Sequence, residues 1–432
     1  MTAGQGAAEN TSPPADARLR PGDRITVRVG EPAHGGSCVA RHGRAVVFVR
    51  HALPGELVQA LVTRVRSKVA EADCVAVLEP APDRVEPPCP VAGPGLCGGC
   101  DLQHVDAAAQ LRWKSSVVQQ QLQRIAGIAA DVPVLALAET NLRWRTRTRF
   151  SVRSDGTAGL HRHHSHEVLP LTDCPITHAD AALVLAERWP GLDSVELVRS
   201  SAGERVLVLD GPYNRDVAKS ARAIAADASL TGVSDVRGRR LAGRAHVRES
   251  AAGRDFRVGA AGFWQVHPAA ADQLARTVAE FADAKPGQVA WDLYAGVGLF
   301  AAVLADAVGP TGRVVAVESD ARAVSDARRN LHDLPVVEIR QGRVEQVLDQ
   351  LSDRPDLVVL DPPRAGAGLA VCAGMAKAGP ARIIYVACDP AAMARDVGEF
   401  VKQGYRLETI VGYDLFPMTH HVECVVLLVR AD

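Results

Sequence analysis

From residue 286 onwards, short apolar runs typical of buried strands alternate with segments typical of helices. The runs are QVAWDLYAG, GRVVAVES, PVVEIRQG, DLVVLDPP, ARIIYVACDP and VECVVLLV, and helical stretches such as ARAVSDARRNLHD lie between them. This alternation predicts a doubly wound α/β sheet. Because ligands of such sheets bind over the carboxyl ends of the strands, polar residues at those ends are the first candidates for a site.

The chain before this region divides at changes of composition. Residues 24–78 contain β-rich runs separated by glycine and proline turns and predict a small antiparallel barrel. A proline-rich stretch then leads to CGGC and to a helical segment, and mostly β patterns follow from about residue 142 to 260. We therefore predict a flexible tail at 1–17, a barrel at 18–80, a central, mostly β domain with short helices at 81–284, and the α/β domain at 285–432.

Charge is unevenly distributed, although the net charge of the 432 residues is only −1. Residues 18–68 hold ten Lys and Arg against three carboxylates, and residues 143–162 hold six Arg against Asp155 alone. Solvated strand faces would account for either segment, but two of them favour binding to a polyanion such as RNA. No apolar run is long enough to cross a bilayer, so we expect no membrane partner.

A glycine-containing loop follows the first strand of the α/β domain. It reads Asp292-Leu-Tyr294-Ala-Gly296-Val-Gly298, and its glycines allow a ligand to approach the backbone closely. Glu318 ends the next strand, where an acid suits the hydroxyls of a ribose. The arrangement resembles the S-adenosylmethionine pocket of Rossmann-like methyltransferases rather than a dinucleotide fingerprint.

Three more strand ends carry reactive side chains. Asp361 begins DPPR, in which Arg364 takes the place of the aromatic residue found in many amine methyltransferases. Cys388 ends the following strand and is a candidate nucleophile, although most free cysteines are only small buried residues. A thiolate added to C6 of uracil makes C5 nucleophilic, and Glu423, at the start of an apolar strand, could then remove the C5 proton.

The segments DLYAGVGLF, LDPPRAG, YVACDPAAMARD and DLFPMTHHVECV, in this order, resemble the RNA (uracil-5-)-methyltransferase family. The resemblance implies a Rossmann-like class I methyltransferase domain in which Cys388 is the nucleophile and Glu423 the proton acceptor. It also implies that Asp361 contacts both cofactor and base, that Arg364 contacts the base, and that S-adenosylmethionine lies against the five residues Gln265, Tyr294, Gly296, Gly298 and Glu318. Gln265 lies in GFWQVHP, where His267 replaces the family's usual Asn.

The resemblance extends upstream. The segment GRAVVFVRHALPGE resembles a TRAM domain, an OB-like RNA-binding barrel that accompanies some members of the family. Four cysteines, Cys89, Cys97, Cys100 and Cys174, can bind an iron–sulfur cluster or a tetrahedral zinc ion, and disulfides are not expected in a reducing compartment. By resemblance we prefer a [4Fe-4S] cluster, although seven residues rather than the family's five separate the first two cysteines.

We therefore predict a cytoplasmic enzyme that methylates C5 of a uridine in structured RNA through a covalent adduct with Cys388. The favoured substrate is 23S ribosomal RNA, because the barrel and the four cysteines occur together more often in ribosomal-RNA enzymes of the family. The alternatives are a T-loop uridine of tRNA and a catalytically idle RNA-binding iron–sulfur protein. No obligate protein partner is evident from the sequence.

Overall fold

The computed structural model describes residues 18–212, 215–227, 229–351 and 353–431, which form two compact units. The first unit holds residues up to Trp113 together with Arg162–Ser165 and Met418–His420, and the second holds the remainder. The tail predicted at 1–17 lies outside the described residues. In the described ranges, no helix is long and apolar enough to cross a membrane.

The first unit contains a closed barrel. Its strands are β1 (Arg24–Ala33), β2 (Ser37–His42), β3 (Ala45–Arg50), β4 (Leu57–Arg66) and β5 (Val69–Glu79), in the order β1-β2-β3-β5-β4. Alternating residues fill the barrel, as Ile25, Val27 and Val29 of β1 show. The predicted barrel is therefore present, with one difference: β3 and β5 pair in parallel, whereas the other neighbours are antiparallel.

The predicted helix after CGGC is α1 (Ala107–Gln121), which continues as a π-helical turn (Leu122–Ala126) and ends at Gly127 in the left-handed conformation. A short strand, β6 (Val134–Ala136), follows. It pairs with the last sheet of the chain, so a segment predicted within the central domain contributes an edge strand to the α/β domain.

The rest of the central region is mostly β, as predicted. A seven-stranded sheet and a hairpin contain β7 (Arg147–Val152), β8 (Ala158–His161), β9 (Val168–Pro170), β10 (Ser194–Arg199), β11 (Arg205–Asp210), β12 (Gly232–Asp235), β13 (Arg240–Gly243), β14 (His246–Ala251) and β15 (Arg254–Gly259). The helical segments are a 3₁₀ turn (Ala179–Ala181), α2 (Ala182–Leu185) and α3 (Arg215–Asp227). The sheet order is β13-β12-β11-β10-β7-β8-β9, and β14 and β15 form a separate two-stranded hairpin.

The C-terminal part is the predicted α/β sheet. Its elements are α4 (Ala270–Ala282), β16 (Val289–Leu293), α5 (Leu299–Val308), β17 (Arg313–Glu318), α6 (Ala321–Asn330), β18 (Val337–Gln341), α7 (Val344–Val347), a 3₁₀ turn (Leu348–Gln350), β19 (Leu357–Leu360), α8 (Leu369–Ala378), β20 (Arg382–Ala387), α9 (Pro390–Lys402), β21 (Tyr405–Asp414) and β22 (Glu423–Arg430).

The strand order of this sheet is β18-β17-β16-β19-β20-β22-β21-β6. The strands from β18 to β20 are parallel, and β22 runs antiparallel to both of its neighbours. The start of β22 therefore lies beside the end of β20. As a result, Glu423 and Cys388 reach the same edge of the sheet from strands of opposite direction.

Candidate active site

The glycine-containing loop links the end of β16 to the start of α5. Tyr294, Gly296 and Gly298 all have positive φ, of 66°, 56° and 96°. A Cβ at Gly298 would lie 2.6 Å from Cδ1 of Leu331, so a side chain is excluded there by packing as well as by conformation. This tight turn leads directly into α5, and Gly296 remains half-buried within it, so its role as a cofactor loop stays a prediction.

Glu318 is held against this loop. Its Oε2 accepts a hydrogen bond of 2.9 Å from the backbone N–H of Gly296, and its Oε1 accepts one of 2.7 Å from the N–H of Asp320. The carboxylate therefore has a fixed orientation at the end of β17. A fixed acid beside a glycine-containing loop can accept hydrogen bonds from the hydroxyls of a ribose.

Asp292 lies beneath the same loop and is completely buried. Neither oxygen of its carboxyl group has a well-formed hydrogen bond among the described residues, although the backbone N–H of Ala301 is near enough to stabilise the charged form. Burial raises the pKa of Asp292 to about 8; the backbone N–H of Ala301 opposes the shift, and Asp361 and Glu318 add to it. The sequence analysis placed Asp292 in the loop motif without giving it a role. The feature of the sequence that could have indicated one is the position of an acidic residue near the end of a buried strand.

Cys388, Glu423, Asp361 and Arg364 lie in one group. Ala387 at the end of β20 pairs with Cys424 of β22, so Cys388, just beyond β20, continues the register towards Glu423, the first residue of β22. Asp361 follows β19, the strand on the other side of β20, and its N–H donates to the carbonyl of Leu293. The structure thus brings together the four residues that the sequence predicted for catalysis and base binding.

Burial is the largest cause of the pKa shifts of Cys388, Glu423 and Asp361. It raises the pKa of the half-buried Cys388 thiol to about 12, and the carboxylates of Glu423 and Asp361 raise it further while Arg364 lowers it. Burial likewise raises the pKa of Glu423, with Asp361 acting in the same direction and Arg364 opposing it. Burial raises the pKa of Asp361 to about 7. At neutral pH, Cys388 is therefore a thiol before substrate binds, and burial favours the protonated form of Glu423.

The loop that carries Arg364 is held from below by Asp396, a fully buried residue of α9. Its Oδ2 accepts hydrogen bonds of 2.7 Å from the N–H of Ala367 and 2.7 Å from the hydroxyl of Tyr385. Tyr385 belongs to β20, the strand that ends at Cys388. One carboxylate thus connects the Arg364 loop to the nucleophile's strand, a link between distant segments that the sequence did not reveal.

The segment between β15 and α4 contains Gln265 and an exposed aromatic residue. Gln265 is half-buried, and no hydrogen bond joins it to the glycine-containing loop among the described residues, so its predicted cofactor contact stays a prediction. Phe263, which sequence reasoning did not single out, is 73% exposed. Arg147 fixes this segment by donating to the carbonyl of Gly262 at 2.8 Å.

His267, which departs from the family pattern, is packed in the interior. Its ring stacks on Trp144 with the centroids 6.0 Å apart, and its Nδ1 accepts a hydrogen bond of 3.2 Å from the N–H of Ala269. Burial lowers the pKa of His267. The histidine therefore fills space and supports the turn into α4.

The arginines predicted as a second basic surface are largely paired. Arg143 binds Asp173, Arg147 lies buried beside Glu249, Arg149 contacts Glu196 and Arg153 contacts Asp155. Most of these carboxylates lie on strands and turns that are distant in the sequence. Residues 143–162 taken by themselves therefore have an excess of positive charge. Structural pairing accounts for much of that excess.

The four cysteines predicted to bind metal are all free thiols. Cys89, Cys97 and Cys100 belong to the first unit and Cys174 to the second. Burial raises the pKa of Cys97, with a smaller contribution from Cys89. In the part of the chain that the structure describes, no three His, Cys, Asp or Glu side chains are grouped as metal ligands, so the cluster stays a prediction of the resemblance.

Two family models match the chain. Residues 252–431 match the model described as tRNA (Uracil-5-)-methyltransferase, and residues 18–75 match the TRAM domain. The first match contains the glycine-containing loop and the Cys388 group, and the second covers most of the barrel. The predicted TRAM domain is thereby confirmed.

Full-length relatives are similar throughout. An uncharacterized RNA methyltransferase of Streptomyces coelicolor is 46% identical over 427 residues, which cover 94% of this chain and 93% of the relative. Another, from Corynebacterium efficiens, is 37% identical and covers 97% of both chains. The crystal structure of Pyrococcus abyssi tRNA (uracil-54, C5)-methyltransferase with S-adenosyl-L-homocysteine superposes with a TM-score of 0.69 at 23% identity, over 94% of this chain and 99% of that one.

These matches confirm the predicted α/β methyltransferase fold and its N-terminal barrel. At the glycine-containing loop, positive φ values and an oriented acid occur together among the described residues, and the cofactor site there stays a prediction. The chain belongs to the S-adenosylmethionine-dependent RNA (uracil-5-)-methyltransferase family.

Proposed function

We propose that the protein methylates C5 of a specific uridine, most favourably in 23S ribosomal RNA, through a covalent bond between Cys388 and C6 of the base. The observation that carries the proposal is the meeting of Cys388 and Glu423 where β20 ends and β22 begins, with Asp361 and Arg364 beside them. A thiol and an acid on the same edge are the two groups that substitution at C5 of uracil requires.

The glycine-containing loop and Glu318 would hold S-adenosylmethionine, which supplies the methyl group when bound. Cys388 gives up its proton to solvent water, and its sulfur forms a bond to C6 while the C5–C6 π electrons move onto C5 and O4 of the ring. Arg364, whose positive charge lowers the pKa of the Cys388 thiol, favours the thiolate in this step. C5 would then attack the methyl carbon of the bound donor, and the bond between that carbon and the sulfonium sulfur would break, with its electron pair leaving on sulfur as the neutral thioether.

Product release requires a base. Glu423, as a carboxylate, accepts the proton from C5; the C5–H electron pair re-forms the C5–C6 double bond, and the C6–S bond breaks to return the Cys388 thiolate. The raised pKa of Glu423 makes the group a strong proton acceptor once it has ionised. The two residues therefore have separate roles at the two ends of the reaction.

The uridine must leave its stack before Cys388 can reach C6. Phe263 supports this step, because an aromatic ring that is 73% exposed in an RNA enzyme offers a stacking surface to an unpaired base. We propose that Phe263 stacks on the substrate near the site. An RNA substrate also makes the cytoplasm the expected place of action.

The choice of 23S ribosomal RNA depends on the joint presence of the barrel and the four cysteines. The similar Pyrococcus abyssi structure is that of a tRNA enzyme, and a T-loop uridine of tRNA is therefore the second candidate. An idle RNA-binding protein with a metal cluster is the third. The presence of both Cys388 and Glu423 in one group favours an active enzyme over this third candidate.

The proposal is tested by nucleoside mass spectrometry of ribosomal RNA and tRNA from cells with and without the protein, mapped to position. Loss of one 5-methyluridine should follow deletion, and Cys388→Ala should fail to restore it. Cys74→Ala, which removes a buried thiol of the barrel, should restore it. Full restoration by Cys388→Ala would contradict the covalent mechanism, and loss of a tRNA mark alone would replace the ribosomal target.

A further inference from the structure

The barrel contains a cavity that the methylation mechanism does not use. It has a volume of ≈ 420 Å³ and lies entirely within the first unit. Two hairpin turns line it, one between β2 and β3 and one between β4 and β5, together with the segment before β1. The polar lining residues are Arg18, His42, Arg44, Ser67 and Lys68.

Among the described residues, some cations of the barrel are paired with carboxylates and others are not, the latter including Arg20, Arg24, Arg41 and Arg66 as well as the cations of this cavity. Arg28 pairs with Glu79, Arg64 with Glu71, and Arg50 with Asp73 and Asp101. By contrast, Arg18, Arg44 and Lys68 are exposed, and no ion pair joins any of them to a described residue. Three unneutralised cations around one cavity favour an anionic ligand.

The cavity also has an apolar floor. Leu19 and Ala70 are buried there, and Val69 lies 40% exposed at its edge. A site for a bare phosphate needs no such surface. Cations at the rim and apolar side chains at the floor match the two parts of a nucleotide, in which a charged phosphate is attached to a flat base.

Two local features are unusual for a structural turn. Ser67, the first residue of the two-residue turn between β4 and β5, has a φ of 55°, a conformation that hairpin turns usually give to Gly or Asn. His42 has a buried Nε2 with no hydrogen-bond partner among the described residues. A strained turn residue beside a cavity is a feature that recurs at binding sites.

We propose that this cavity binds one nucleotide of the RNA, with its phosphate on Arg18, Arg44 and Lys68 and its base against Leu19, Val69 and Ala70. The inference rests on the proposed function for the identity of the polymer. It assigns to the barrel a defined nucleotide site in addition to any diffuse attraction. Such a site gives affinity for the RNA without taking part in the methylation.

The test measures binding of fluorescent oligouridylate to the full chain by anisotropy over a series of salt concentrations. Arg44→Ala/Lys68→Ala should weaken binding by about tenfold or more and reduce the slope of log K against log salt by about 0.7 for each phosphate that is no longer neutralised. The matched control, Arg28→Ala/Arg64→Ala, removes the same charge from arginines already paired with carboxylates and should bind within about twofold of wild type.

A second variant separates a nucleotide site from a diffuse basic surface. Ala45→Trp fills the cavity from a half-buried strand position without changing charge, and Ala45→Leu does so with a smaller side chain. Both should weaken binding and leave the salt slope unchanged. Wild-type affinity in both Ala45 variants, or in Arg44→Ala/Lys68→Ala, overturns the proposal. Methylation is assayed in parallel, so an inactive enzyme that binds RNA would refute the proposed function and leave this inference standing.

Discussion

The site contains three carboxyl groups that burial keeps protonated more readily than usual. Asp292, Asp361 and Glu423 all have raised pKa values, and two of the three influence the pKa of Cys388. Their desolvation costs stability whenever they ionise. In the free enzyme, ionisation of these carboxyl groups therefore lowers the stability of the fold. Positively charged groups of a bound substrate or cofactor would reduce this destabilisation.

Asp292 gives a prediction for stability. Its folded pKa of about 8 exceeds the ordinary value near 4, so the folded state binds more protons than the unfolded state between these pH values. Wild type should therefore lose on the order of a few kcal/mol as pH rises through this window, and Asp292→Asn should lose less. Urea unfolding of the protein without cofactor at about pH 5 and about pH 8 measures both.

The control for this prediction is Asp306→Asn, which makes the same chemical change at an exposed position of α5. It should retain the pH dependence of wild type. Identical pH dependence in wild type and Asp292→Asn would contradict the assignment of a buried, protonated Asp292.

At the scale of elements, the site forms only when three segments are held in position together. These segments are the end of β20, the loop of Arg364 and the start of β22. Asp396 fixes the first two through its bonds to Tyr385 and Ala367. The segment before β22 is fixed by Lys114 of α1, whose Nζ donates to Asp414 at 2.5 Å and to the carbonyl of Phe416 at 3.1 Å. Lys114 and Asp414 are both buried, so removal of either one would leave an uncompensated charge.

Tyr385→Phe tests the link through Asp396. It removes one hydrogen bond to that carboxylate and should cost about 1 kcal/mol of stability. Because the Arg364 loop then loses a support, kcat for methylation should fall more than KM rises. Steady-state methylation and urea unfolding give the two readouts.

Tyr405→Phe is the matched control, because its buried hydroxyl donates at 2.8 Å to the carbonyl of Pro380, outside the Arg364 loop. It should lose similar stability and keep wild-type kcat. Equal kcat in the two variants would show that Tyr385 has only a structural role.

For the whole molecule, the sequence predicted the parallel strands best. Buried parallel strands are apolar on both faces, so β16, β17, β19 and β20 appear as continuous apolar runs in the sequence. Sequence motifs also predicted the group around Cys388, because its members lie at or just beyond strand ends. The edge strand β6 was not predicted, since a three-residue strand has no periodicity of its own.

Side-chain contacts between segments that are distant along the chain could not be predicted from the sequence. Asp396 lies within a helical pattern and reveals nothing of the loop that it supports. Arg147 contributed to a predicted basic surface, whereas the fold buries it beside Glu249, which belongs to a distant strand. Charge counted along a segment cannot separate cations that are neutralised by tertiary partners from those that remain without one, as at the barrel cavity.

The [4Fe-4S] cluster remains a prediction that follows from the resemblance to the methyltransferase family. Protein purified without oxygen should carry iron and sulfide in near-equal amounts, and both should be lost in Cys97→Ser/Cys100→Ser because two of the four thiolate ligands are removed. Cys38→Ser, which alters a buried barrel thiol, is the control and should retain both. Zinc without iron, or no metal at all, would contradict the [4Fe-4S] prediction.

The central claim is that Cys388 bonds to the base and that Glu423 is needed to release it. Glu423→Gln retains the shape of the side chain but cannot accept the C5 proton, so release should slow by about 10² to 10⁴ while addition and methyl transfer proceed. The direct measurement is a denaturing gel of this variant incubated with RNA and methyl-labelled S-adenosylmethionine. We predict a labelled protein–RNA band that is absent from Cys388→Ala/Glu423→Gln; release of 5-methyluridine at the wild-type rate, with no such band, would contradict the account.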